Sequence, residues 1–187
     1  MTARVVGSLF VIATASGVVS AATQGTTRGV MVFVMALAIA FIAPTWFPAL
    51  KRHGEGMALG YVVARTLEVV FLMSAVAPIA RLHVEELWGH ASAIWFCAGV
   101  VLLNVLLFRS ALVPRWISVW ALAAVVPYLA GAVLVLLGVL TQTQAGALYV
   151  PLALNEMVLA FWLLTRGMST PGADVREQGE PGLVEAH

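Results

Sequence analysis

The chain has 187 residues, of which 61% are hydrophobic and 10% charged, with a formal net charge of +1 and a mean hydropathy of +0.98. Soluble domains hold roughly 45–50% apolar and about 25% charged residues, so this excess of apolar surface belongs in a lipid bilayer. The near-neutral charge leaves no basic stripe for nucleic acid, and the single cysteine, Cys97, excludes an intrachain disulfide framework and reads as helix filler.

Apolar runs of about 20 residues, bounded by charges or turn signals, predict six membrane-spanning helices at 5–22, 30–50, 57–80, 91–108, 116–140 and 147–165. The expected fold class is therefore all-α, a polytopic bundle forming one domain over 1–167. Short connections favour antiparallel hairpins between neighbours. The first run has Arg4 before it and the small residues "SAA" at 20–22, like a signal peptide, but it is read as a retained helix. With six spans, Arg4, Lys51, Arg52, Arg109, Arg115, Arg166 and Arg176 fall on one side, against Arg28 and Arg81 on the other. By the positive-inside rule both termini are cytoplasmic.

Trp46, Trp88, Trp116 and Trp162 fall near predicted helix ends and read as interfacial anchors. The segment 168–187 is rich in glycine, proline and acid, and is expected to be a disordered cytoplasmic tail.

The third run breaks the apolar pattern with Arg65 and Glu68, roughly 12 and 17 Å from its start. Spacings of three and four put both on one helical face with Tyr61. In the sixth run, Glu156 is about 14 Å from the cytoplasmic end, between those two depths. Each ion facing lipid would cost at least about 2.5–3.5 kcal/mol, so the third and sixth helices are expected to touch, with Arg65 between two carboxylates. The trio carries a formal charge of −1, so one glutamate, with Glu156 favoured, is expected to hold a proton or meet a cationic ligand. Asn155 offers a donor and an acceptor beside it. Alternatively the charges only lock two helices together, with Asn155 adding an interhelical hydrogen bond.

Secondary candidates are Asn104, read first as an interhelical hydrogen-bonding residue, and Tyr128, beside a Pro127 that frees the carbonyl of Ala123. His83, Glu86 and His90 share a helical face, but solvated loop residues are the preferred reading and no metal site is assigned. Arg109 and Arg115 suit lipid phosphates. A three-plus-three division gives halves of opposite topology, each with an acidic residue in its third helix and a proline in its second (Pro44 and Pro127), an arrangement that transporters use to place sites at the midplane.

The stretches "FPALKRHGEGMALGYVVARTLEVV", "LLFRSALVPRWISVWALAAVVPYLAG" and "LALNEMVLAFWLLTRG" resemble the landmarks of the membrane-protein family called domain of unknown function 4386. The resemblance spans about 5–168 and falls on Arg65, Glu68 and Glu156. It implies a six-helix protein of the bacterial cytoplasmic (inner) membrane, with no assigned reaction, cofactor or substrate. The connection at 23–29 is shorter than that pattern leads one to expect.

The leading functional expectation is a small binding or carrier protein. Its pocket of Tyr61, Arg65, Glu68, Asn155 and Glu156 would hold a small polar or amphipathic ligand, with Arg65 pairing an anionic part and Glu156 exchanging a proton. The first alternative is a membrane-embedded enzyme acting on a lipid or isoprenoid-like substrate, with Glu68 or Glu156 as general acid. The second is a structural or assembly factor. No cofactor is expected, and no HExxH, nucleophile elbow or phosphate loop is present in the sequence.

Overall fold

The computed structural model describes residues 2–76 and 85–168. Its elements are α1 (Thr2–Ala22), α2 (Gly25–Val76), α3 (Glu85–Ser110), α4 (Arg115–Leu136) and α5 (Gln142–Thr165), with no strand among the described residues. Each helix is long and apolar enough to cross a membrane. An all-helical chain suits this setting, because a helix satisfies its backbone polar groups internally where no water can do so. The chain is a multi-pass membrane protein.

The runs predicted at 30–50 and 57–80 belong to one element, α2, of 52 residues. Inside it Gly54 leaves helical geometry, at φ 158° and ψ 88°. A Cβ added to Gly54 would lie 3.1 Å from Leu106 Cδ2, so the bend sits tightly against α3. In a straight helix Met35 and Leu72 would be about 55 Å apart, yet both line one cavity. The two halves of α2 therefore lie side by side. The end of the third predicted span and the segment 169–187 lie outside the described residues, as do Arg81 and His83.

The fifth predicted span, 116–140, stops earlier, at Leu136. A turn follows, in which Leu137 N–H donates to Val133 O and Gly138 adopts φ 70°. The sixth begins earlier than 147 because Thr141 and Gln144 form a reciprocal capping box: the Thr141 hydroxyl accepts from Gln144 N–H at 3.3 Å, and the Gln144 side chain accepts from Thr141 N–H at 2.9 Å.

The helices close into a ring, with α1 packed on α2 and α5, α3 on α2 and α4, and α4 on α5. Lipid chains are as apolar as leucine, so the helices gain by close approach at small residues. A Cβ at Gly7 of α1 would lie 2.9 Å from the carbonyl oxygen of Ala160 on α5, so only glycine permits this contact. Val6, Phe10, Ile42, Leu50, Leu106 and Leu163 fill the core nearby.

Trp46 is not an interfacial anchor. It is fully buried, meets Phe10 edge-on with ring centroids 6.0 Å apart, and its indole N–H donates to Met168 Sδ at 3.2 Å. Its side of α2 faces α1 rather than lipid. Trp116, by contrast, is 52% exposed and stacks on Trp120, and Arg166 lies over the Trp162 ring. The side chain of Trp88 lies outside the described residues.

Candidate functional site

The second half of α2 presents Tyr61, Arg65 and Glu68 on one buried face, one helical turn apart. Arg65 Nη1 donates to Glu68 Oε2 at 2.7 Å, and Arg65 Nε donates to the Tyr61 hydroxyl at 3.4 Å. Arg65 is 3% exposed and Glu68 5%, so the pair is removed from lipid as its charge requires. Glycine at position 99 of α3 makes room for it: a Cβ there would lie 3.4 Å from Arg65 Cδ. The guanidinium also lies over two rings, 5.2 Å from the centroid of Phe96 and 5.7 Å from that of Tyr61.

Glu156 approaches from α5, with Oε1 3.8 Å from Arg65 Nη2. That distance makes an ion pair but exceeds hydrogen-bond length. Arg65 thus lies between two carboxylates in unlike settings, Glu68 in direct contact and Glu156 standing off. The side chain of Glu156 is 18% exposed, against 7% for Glu68. The second half of α2 and α5 are not neighbours in the ring of helices; they meet across its interior.

That interior holds a cavity of about 550 Å³, within the usual range of roughly 300–1,000 Å³ for small-molecule sites. Among the described residues, Arg65, Glu68 and Glu156 are its charged lining residues, and all five helices contribute to its walls. Tyr128 of α4 lines it, with ring centroids 5.0 Å from Phe96 and 4.6 Å from Tyr149. Thr14 of α1 lines it too, facing Glu156 without a hydrogen bond of good geometry.

Tyr61, Asn104 and Asn155 do not line the cavity. Tyr61 sits behind Arg65. Asn155 points to α4, where its amide donates to Ile117 O at 2.8 Å and ties the two helices together. Successive helical residues project about 100° apart, so Asn155 and Glu156 face different partners despite being adjacent. The Asn104 amide donates within its own helix to Val100 O at 2.9 Å, and its carbonyl oxygen is buried without a hydrogen-bond partner.

Phe96, Tyr149 and Thr14 also line the cavity and are not among the candidates that the sequence singles out. Tyr149 carried a signal, because it lies seven residues before Glu156 and so on the same face of α5. Phe96 and Thr14 carried none, being ordinary members of apolar runs. Among the described residues, no group of His, Cys, Asp and Glu could hold a metal ion. The trio of His83, Glu86 and His90 falls outside this description, since His83 and the side chains of the other two are not covered by it.

No curated protein and no solved structure matches the chain. Residues 79–167, somewhat short of half the sequence, match the model of the family described as Domain of unknown function (DUF4386), the family that the sequence resembles. The matched stretch contains α3, α4 and α5, and therefore the wall that carries Glu156 but not the one that carries Arg65 and Glu68.

Proposed function

We propose that the protein crosses the bacterial inner membrane six times, with both termini cytoplasmic, and binds a small polar or amphipathic ligand in the cavity between its helices. The bend at Gly54 supports two crossings by α2, since 52 helical residues would extend about 78 Å, more than twice a hydrocarbon core of about 30 Å. Contacts join the basic ends of the helices: Gly7 packs near Leu164, Gly54 near Leu106, and Trp46 near Met168. Arg4, Lys51, Arg52, Arg109, Arg115 and Arg166 thereby gather at one end of the bundle, in keeping with the positive-inside rule.

The observation that carries the binding reading is Glu156, a carboxylate beside a cavity of about 550 Å³ and held only loosely by Arg65. A charge cluster serving only to join helices would be expected to close on itself. Glu68 does so and Glu156 does not. Glu156 is the group that would meet ligand or exchange a proton. Native mass spectrometry of the detergent-purified protein tests this: a bound small molecule or lipid is expected with the wild type and reduced with folded Glu156→Gln. Equal retention by both would defeat the role given to Glu156.

A second reading, a membrane enzyme on a lipid-like substrate, draws on the same asymmetry. Glu68, fixed by Arg65, would stay ionised while Glu156 acts as general acid. Conversion of a co-purified molecule by wild type but not by Glu156→Gln would favour the enzyme; stable binding without conversion would favour the binding or carrier protein, with proton coupling read from any pH change on binding.

A further inference from the structure

The walls of the cavity differ in their access to the surroundings. Of its lining residues, Val18 and Ala21 on α1 and Gln142 and Val150 on α5 are exposed, with Val18 at 63% and Val150 at 51%. These four residues lie on the two sides of one seam. The seam is shut at Gly7, where α5 backbone approaches within contact distance, and open toward Gly146, where an added Cβ would meet nothing within 4 Å. The cavity therefore has a mouth between the last turns of α1 and the first turns of α5. Val18 and Val150 give that mouth apolar lips on the outer surface of the bundle.

The charges lie at the inner end of the same space. Arg65 is engaged by Glu68 at 2.7 Å and by Tyr61 at 3.4 Å, whereas Glu156 remains 3.8 Å from the guanidinium. Among the described residues the charged lining is two carboxylates and one guanidinium, and the surrounding walls are mostly apolar or aromatic, including Ile39, Leu72 and Tyr149, with Thr14, Ser20, Ser92 and Gln142 as neutral polar members. An anion would face both carboxylates, and among the described residues no cluster of three His, Cys, Asp or Glu side chains is present to hold a bare metal ion. An organic cation with an apolar body suits both ends.

We infer that the ligand is an amphipathic amine that enters from the bilayer between α1 and α5, sets its ammonium against Glu156 and leaves its apolar body along the seam. This rests on the binding reading above and names the chemical class that the same site takes. The aromatic wall of Phe96, Tyr128 and Tyr149 supports it, because ring faces attract organic cations.

Three eight-carbon probes separate the inference from the reading beneath it: n-octylammonium, octan-1-ol and octanoate, titrated calorimetrically into the full-length protein in lipid nanodiscs at neutral pH. Octylammonium is expected to bind about tenfold or more tightly than octan-1-ol, as a charge-assisted hydrogen bond provides, and octanoate to bind most weakly. Glu156→Gln should bring octylammonium to the level of octan-1-ol. Gly146→Phe, which fills open space at the mouth, should leave the melting temperature near that of the wild type and abolish binding of octylammonium, and it carries the test if Glu156→Gln fails to fold. Equal binding of octylammonium and octan-1-ol, or tightest binding of octanoate, would overturn the cationic ligand while leaving a binding cavity intact. Binding of none of the three would overturn both, and unchanged binding by folded Gly146→Phe would overturn the lateral mouth.

Discussion

Gly7 and Gly146 stand on opposite helices at the two ends of the α1–α5 seam, and the absence of a side chain has opposite consequences at each. At Gly7 it lets α1 reach the carbonyl of Ala160, so the helices close. At Gly146 no neighbour moves in to occupy the space, so the helices stand apart and the cavity reaches the surface. A small residue in a membrane helix is thus no sign of tight packing by itself; the opposing surface decides. Here the cavity that opens toward Gly146 has at its inner end a pair of buried charges and a third 3.8 Å from the guanidinium, whereas beyond the closure at Gly7 lies a core of Val6, Phe10 and Leu163.

The largest effect should come from the inner end of the cavity. Arg65→Met would leave Glu68 and Glu156 without their common cation, and a loss of about 3–5 kcal/mol is expected from an uncompensated buried charge. Thermal unfolding in detergent measures it, and a Glu68→Gln change added to Arg65→Met should recover part of the loss. If Arg65→Met melts with the wild type, the cluster contributes little to stability.

Closing the comparison from the other end, Gly7→Leu drives a side chain into backbone and should destabilise by about 1–3 kcal/mol, seen as a lower melting temperature and faster proteolysis. A wild-type melting profile would mean that α1 and α5 do not approach closely there. Asn155→Leu, which removes the α5 tie to Ile117 O at a position that does not line the cavity, should cost about 0.5–1.5 kcal/mol and leave ligand retention unchanged. Loss of ligand without loss of stability would move Asn155 back to the site. The smallest effect belongs to Gly146→Ala: a helical position with open space around it should gain about 0.5–1 kcal/mol in stability, with octylammonium binding little changed.

The membrane character of the chain and the places of its buried charges could be read directly, because hydropathy is additive along the sequence and an ion in an apolar run must find a counterion. Spacing alone pairs Arg65 with Glu68. Depth alone matches Glu156 to them. The capping box of Thr141 and Gln144 was readable and would have moved the start of the last helix from 147 to Gln142. The continuity of α2 through Lys51 and Arg52 was not, since basic residues beside glycine also mark an ordinary connection. The direction of Asn155 was hidden as well, for it depends on how α5 is rotated against α4.

The sequence by itself therefore determined that this protein is a membrane-spanning helical chain whose Arg65, Glu68 and Glu156 must leave the lipid, because local composition and the cost of bare charge require no partner's shape to be known. Only the tertiary structure decided that Glu68 closes on Arg65 while Glu156 stands off, and that the seam between α1 and α5 is shut at Gly7 and open toward Gly146. Those outcomes depend on helix rotation and separation, which are set by contacts among residues far apart in the chain.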